Sequence, residues 1–254
     1  MRGILQSMQL PANLNSNSPS IFFGIDFLLN HLKKPEFPRT IATLLTEGKQ
    51  IIVSSKEEAL SFYKDSNYMD CRLAAYPYSV NNLPQIIDFV MLDLDLNNFK
   101  FSRQKLDRAL NKILLTLKKD TVEPTVIWSG NGYHILIPVK PLESILEDMA
   151  EFSKFEEPSK SLLRFLEKYL SNGKSDSVHS STVSFGNCML RVPGSFNSKH
   201  NDGKNEVSII RKWNNERLSI KPLLGDFLAY LLDEKAKKKS HAKYYKYNNL
   251  LSKS

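Results

Sequence analysis

Asp93 and Asp95 stand one residue apart in the stretch VMLDLDLNNF. Side chains alternate across a strand, so both carboxylates fall on one face, with Leu92, Leu94 and Leu96 on the other. Two carboxylates roughly 6 to 7 Å apart along a strand make a hard oxygen donor set. Such a set holds one or two Mg²⁺ or Mn²⁺ ions that bridge to substrate phosphates. With no cation between them, each raises the other's pKa. The competing reading of so short a pattern is an edge strand whose acids face water.

Two further stretches carry chemistry. In WSGNGYHILIP, His134 begins a strand beside a Gly-rich turn that permits close backbone approach and suits a phosphate. A structural or solvated histidine is the alternative. In CMLRVPGSFNSK, Arg191 ends a strand and Lys199 lies beyond a Pro-Gly turn. The two could converge on one triphosphate, the guanidinium as a bidentate fork and the ammonium as a point charge. A plain surface turn with flanking cations is the other reading.

The elements that must position these residues are legible from residue 84 onward. QIIDFVMLDLDL has the length and β-branched content of a strand, expected at the centre of a sheet. Next, Leu106, Leu110, Ile113, Leu114 and Leu117 recur at helical spacing behind a Ser102 cap. PTVIWSGNGYHILIPV reads as a hairpin turning at Asn131-Gly132. A second helix within 142–170 aligns Leu162, Leu163, Leu166, Tyr169 and Leu170 and ends at Asn172-Gly173. Strands return at NCMLRV and EVSIIRKW. The succession β, α, β, β, α, β over 86–213 fits a ferredoxin-like or RNA-recognition-motif-like sheet in an α/β (α+β) protein. KPLLGDFLAYLLDEK forms a last helix, and the tail AKKKSHAKYYKYNNLLSKS, with six lysines and no acid, is expected to be solvated and flexible. The organisation is then an arm over 1–20, an α/β lobe over 21–83, a catalytic lobe over 84–234 and a basic tail over 235–254.

With 254 residues, 41% of them hydrophobic, the chain can bury a sizeable core, which excludes wholesale disorder. Its net charge of +8 points to an anionic partner such as nucleic acid or nucleotide phosphates. Cys71 and Cys188 form no CxxC pair, so neither a disulfide framework nor a structural zinc site is expected. No apolar run has membrane-spanning length and the first residues lack a signal-peptide core, so a cytoplasmic protein with no membrane partner is expected.

Taken together, VMLDLDL, SGNGYH and RVPGSFNSK resemble the motifs of the archaeo-eukaryotic primase superfamily, in particular the primase-polymerases of archaeal plasmids, viruses and integrated elements. The resemblance covers about 84–213. It implies a DNA primase or primase-polymerase, a nucleotidyltransferase that makes or extends primers on a single-stranded DNA template from NTPs or dNTPs. It further implies two Mg²⁺ or Mn²⁺ ions held by Asp93, Asp95 and a third acid. Asp176 stands about where the family places that acid, and no other acid lies between Glu167 and Arg191. His134, Arg191 and Lys199 would bind the triphosphate, with Ser129 and Asn197 as polar helpers. Arg211 and Lys212, and in the tail Lys237, Lys238 and Lys239, would contact the DNA backbone, whereas Trp213 reads as a core residue. The chain carries neither a zinc stem nor a P-loop helicase module, so it would act alone or with a separate helicase.

Two rivals follow from the same residues. A haloacid-dehalogenase-type phosphatase also uses an apolar strand ending in DxD, but commonly has Thr or Val where this chain has Asn97, and it does not require RVPGSFNSK. A non-catalytic replication initiator or single-strand binder on an RNA-recognition-like sheet would want exposed aromatics where this strand carries acids.

Overall fold

A computed structural model of the chain describes residues 21–31, 35–78, 88–140, 158–175, 188–199 and 205–251, leaving aside the side chains of 158, 159 and 238–251. Five helices are described: α1 (Ile21–His31), α2 (Lys56–Asp65), α3 (Arg103–Lys118), α4 (Pro158–Leu170) and α5 (Leu224–Leu251). The strands are β1 (Arg39–Ala42), β2 (Ile51–Val53), β3 (Arg72–Ala74), β4 (Phe89–Asp95), β5 (Thr125–Trp128), β6 (Gly132–Pro138), β7 (Met189–Arg191) and β8 (Ser208–Arg211). They form two four-stranded sheets of order β2-β1-β3-β7 and β4-β6-β5-β8. All the described ladders are antiparallel. The protein is therefore mixed α+β. Among the described residues, no helix is long and apolar enough to cross a membrane.

Alternation along β4 divides the core. Val90, Leu92 and Leu94 join Val126, Ile135 and Ile137 in one cluster with Leu106, Leu110, Ile113 and Leu117 of α3 and Leu162 and Leu166 of α4. Phe89 and Met91 take the other side, in a cluster with Ile25 and Leu28 of α1, Tyr63 of α2, and Leu73 and Leu190 of the first sheet. Asp93 and Asp95 continue this second face toward the end of the strand. Ser102 caps α3 as expected, accepting from the Lys105 backbone N–H. α4 ends at left-handed Asn172 and Gly173, where the Gly173 N–H closes on the Lys168 carbonyl at 2.8 Å. Tyr169 alone of its expected apolar face stays 43% exposed.

Four features differ from the sequence-based expectations. β4 is the outer strand of its ladder among the described residues, not a central one. The strand at Met189–Arg191 leaves this sheet and pairs with β3 of the first. β8 closes the sheet beside β5, whereas a ferredoxin-like order would put the closing strand beside the first. Its placement follows from the preceding chain: the Asn197 amide donates to the Ser129 carbonyl, and Asn197 N–H to the Asn205 carbonyl, so the segment emerges next to β5. The basic tail, expected to be flexible, continues α5 to Leu251. Its Ala and Lys content favours helix, and Lys237 pairs with Asp233 one turn back.

The hairpin forms, but its turn is centred one residue earlier than Asn131-Gly132. Gly130, at φ +82, and Asn131 are the central residues, closed by Ser129 N–H on the Gly132 carbonyl at 2.9 Å. This is the position where a type II′ turn takes glycine. Gly132 instead starts β6, where a Cβ would meet the Leu94 carbonyl oxygen at 2.0 Å. Gly132→Ala is therefore expected to lower stability by at least about 1–3 kcal/mol through overpacking. Gly225→Ala, where nothing lies within 4 Å of the added carbon, is expected to leave stability unchanged or raise it. Thermal unfolding of both variants checks this; equal melting temperatures would show that the β4–β6 approach is not tight.

Candidate functional site

The β4–β6 register sets Asp93 directly opposite His134 and Asp95 opposite Gly132. The missing side chain at Gly132 lets the β6 backbone lie close against β4 beside Asp95. Asp95 is held from several directions. Its Oδ1 accepts from the Asn97 N–H at 2.9 Å, capping the short 3₁₀ turn Leu96–Phe99, and from the Asn131 amide at 3.0 Å. Its Oδ2 accepts from the Lys199 ammonium at 2.9 Å. The Asn131 side chain at the hairpin tip thus fixes one oxygen while a cation offsets the other.

Asp93 is differently placed. A third of its side chain reaches solvent (33%), and the nearest ionisable partner atom is His134 Nε2 at 3.7 Å, beyond hydrogen-bond reach. Burial, with Asp95 as a second cause, raises its pKa from 3.8 to about 6, against the pull of Arg72, Lys199 and Arg191. Burial also lowers the His134 pKa to about 3, helped by Arg191 and Arg72. His134 is consequently a neutral imidazole at neutral pH, and its buried Nδ1 has no hydrogen-bond partner among the described residues. No ion pair links it to Asp93.

Arg191 and Lys199 part ways. The Arg191 guanidinium is only 4% exposed and donates to Asp70, which also accepts from the Ser198 hydroxyl and backbone N–H. Burial pushes the Asp70 carboxyl up, but the Ser198 and Arg191 bonds outweigh it and hold it below its usual value. Arg191 therefore positions the RVPGSFNSK segment and lends positive potential to Asp93. It is not an open fork for a ligand. Lys199, 47% exposed, is the accessible cation of the pair. Ser129 and Asn197 are both buried and are joined to each other through the Ser129 carbonyl.

The remaining expected residues lie elsewhere. Arg211 pairs with Val126 on β8, three strand spacings or about 14 Å from β4. Lys212 follows it, near the Phe27 ring. Lys237 sits on α5, engaged with Asp233 and Glu234. Trp213, expected in the core, is half-buried, with its indole N–H on the Glu216 carbonyl and Arg217 over its ring. Asp176 and the side chains of Lys238 and Lys239 lie outside the described residues. Among those described, no group of three His, Cys, Asp or Glu side chains is gathered to hold a metal.

Asp70, Arg72 and Asn131 belong to the site and were not expected there. A signal for the first two was present: MDCRL alternates charge with apolar residues over strand length. For Asn131, its hairpin role hid its side chain. The chain matches no protein-family model, and no curated protein matches it either.

The raised Asp93 pKa has a defined sign. Between about pH 4 and 6 the folded state keeps a proton that the unfolded chain releases, so stability falls as pH rises through that window and the deficit persists above it. Asp93→Asn removes this penalty. In EDTA at pH 7.5 it is expected to raise the melting temperature by roughly 2–4 °C, corresponding to about 1 kcal/mol after solvent screening, and to change little at pH 4. The same difference at both pH values would assign the effect to packing instead of charge.

Proposed function

We propose that this chain is a metal-dependent nucleotidyltransferase that makes or extends primers on single-stranded DNA, in keeping with its resemblance to the archaeo-eukaryotic primases. The observation that carries the reading is a convergence. Three stretches far apart in sequence bring Asp93 and Asp95, His134, and Lys199 to one end of one sheet.

The residues present fit a hard divalent cation. Asp93 is a half-buried carboxylate whose charge is under-compensated, and Asp95 is already paired with the half-exposed Lys199 ammonium. Mg²⁺ typically binds through one or two carboxylates and completes its shell with water and substrate phosphates. Asp93 and Asp95 would hold such an ion, with Asp176 as the proposed third acid. When bound, the metal supplies charge neutralisation at the reacting phosphate and a lowered pKa for the attacking hydroxyl.

The chain's own residues account for the rest. Lys199, on an exposed stem, can turn from Asp95 to a triphosphate oxygen. His134, neutral and buried, presents an imidazole that adds no charge of its own beside Asp93. Asn131 and the Asn97 N–H keep Asp95 oriented while its partner changes. Arg72 and Arg191 stand behind the acids as fixed positive charge.

Primer synthesis with labelled nucleotides on single-stranded DNA, in Mg²⁺ or Mn²⁺, tests the reading. Asp93→Ala/Asp95→Ala is expected to abolish product, and Lys199→Gln to raise the nucleotide KM with a smaller effect on kcat. Undiminished synthesis by the double variant would exclude these acids as the metal site.

A further inference from the structure

Directly beyond the carboxyl end of β4 lies an open cleft of about 320 Å³. Its wall begins at Asn98, three residues after Asp95, so at most about 11 Å of chain separates the two. Lys100, Lys105, Arg108 and Lys174 line it, and among the described residues that line it none is acidic. All four cations are exposed, and none has an ion-pair partner among the described residues. Some cations elsewhere are paired, among them Lys199 with Asp95, Arg191 with Asp70, Arg103 with Asp107 and Lys56 with Asp26. Leaving four like charges together around one cavity costs self-repulsion, which a bound polyanion would relieve.

A second observation comes from the same turn. Lys100 and Phe101 both have left-handed backbone, at φ 53 and 58, a conformation non-glycine residues adopt at some energetic cost. The turn that results leaves the Phe101 ring 66% exposed, next in sequence to a cation of the cleft. Cations that track a backbone beside an aromatic face on which a base can stack are the pattern of single-strand binding.

We infer that this cleft is a binding site for single-stranded nucleic acid, its phosphodiesters on Lys100, Lys105, Arg108 and Lys174 and a base stacked on Phe101. Identifying that strand as the one copied rests on the nucleotidyl-transfer reading. The site itself rests on charge and geometry alone. Dispersed lysines on exposed stems suit successive phosphates of a polymer better than one compact anion, which would call for a buried bidentate fork.

Fluorescence anisotropy of a labelled oligo-dT with the full chain, across a NaCl series, tests the site. Each lost phosphate contact is expected to make the slope of log K against log salt shallower by roughly 0.7, so the fourfold Gln variant K100Q/K105Q/R108Q/K174Q should lose about 3. Phe101→Ala should weaken binding by roughly fivefold or more and leave the slope unchanged, because a ring carries no counterion. Should the fourfold variant fail to fold, K100Q/K105Q and R108Q/K174Q are each expected to lose about half of that slope. Wild-type affinity and slope in all these variants would overturn the site. So would loss of inorganic tripolyphosphate binding in the Gln variants with no effect of Phe101→Ala, which would assign the cleft to a compact polyphosphate. If the wild type makes no primer while the cleft variants lose oligonucleotide as expected, the catalytic reading falls and the cleft stands.

Discussion

A carboxylate that shares a strand face with Phe89 and Met91 has to be compensated, and much of the surrounding structure follows from how the chain meets that demand. Asp93 sits where the face passes from apolar core to solvent. Positive charge reaches it from Arg72 and Arg191, neighbours in register on β3 and β7, and from Lys199. The compensation is partial, and the remaining cost appears as a pKa of about 6. His134 cannot help, because the burial and the arginines that surround it keep its imidazole neutral. A site left short of positive charge on its open side is one that a cation from solvent improves.

The segment from Arg191 to Lys199 transmits this requirement to the rest of the fold. Its first residue is a strand of the first sheet and its last reaches Asp95 of the second. Between them, Gly194 at φ +84 turns the chain, and the turn is pressed against α1, where a Cβ on Gly24 would meet the Pro193 carbonyl oxygen at 1.9 Å. Phe196 then bridges to Met69 and Glu206, and Asn197 ties to the hairpin at Ser129. One strap thus couples α1, both sheets and the hairpin, so the distance between Lys199 and the carboxylates is set by packing at several points.

The parts of this arrangement that sequence made legible are those with enough residues to show a period. β4, α3, the hairpin and α4 each span several repeats of an alternating or helical pattern, and each forms close to its expected limits. β1, β2 and β3 have three or four residues apiece, too few for alternation to speak, and their pairing joins residues far apart in the chain. The alternation in MDCRL, in and just ahead of so short a strand, therefore marked Asp70 and Arg72 only weakly. The strand at Met189–Arg191 was visible as a strand, yet its sheet is decided by contact with Leu73, which no local pattern encodes. Within the site the types of Arg191 and Lys199 were informative, but their roles separated only once burial was known: the same charge is a scaffold at 4% exposure and an available group at 47%.

The short run from Asp95 to Lys100 brings opposite chemistries together. Asp95 uses one oxygen to cap the turn that follows it, and that turn delivers Lys100 to the wall of the basic cleft, with the exposed Phe101 next in sequence. The two carboxylates and Lys100 of the cleft are therefore held on one short stretch of chain. A polyanion lying in the cleft would bring phosphate toward the acids, and it would be repelled there unless a metal intervened. A divalent ion of the kind proposed at Asp93 and Asp95 would remove the repulsion that limits how far an anionic strand could extend out of the cleft, and would so couple the two halves through charge. Because exposed cations are screened by salt while the half-buried acids are screened less, raising ionic strength would weaken the proposed hold on a strand before the proposed hold on a metal.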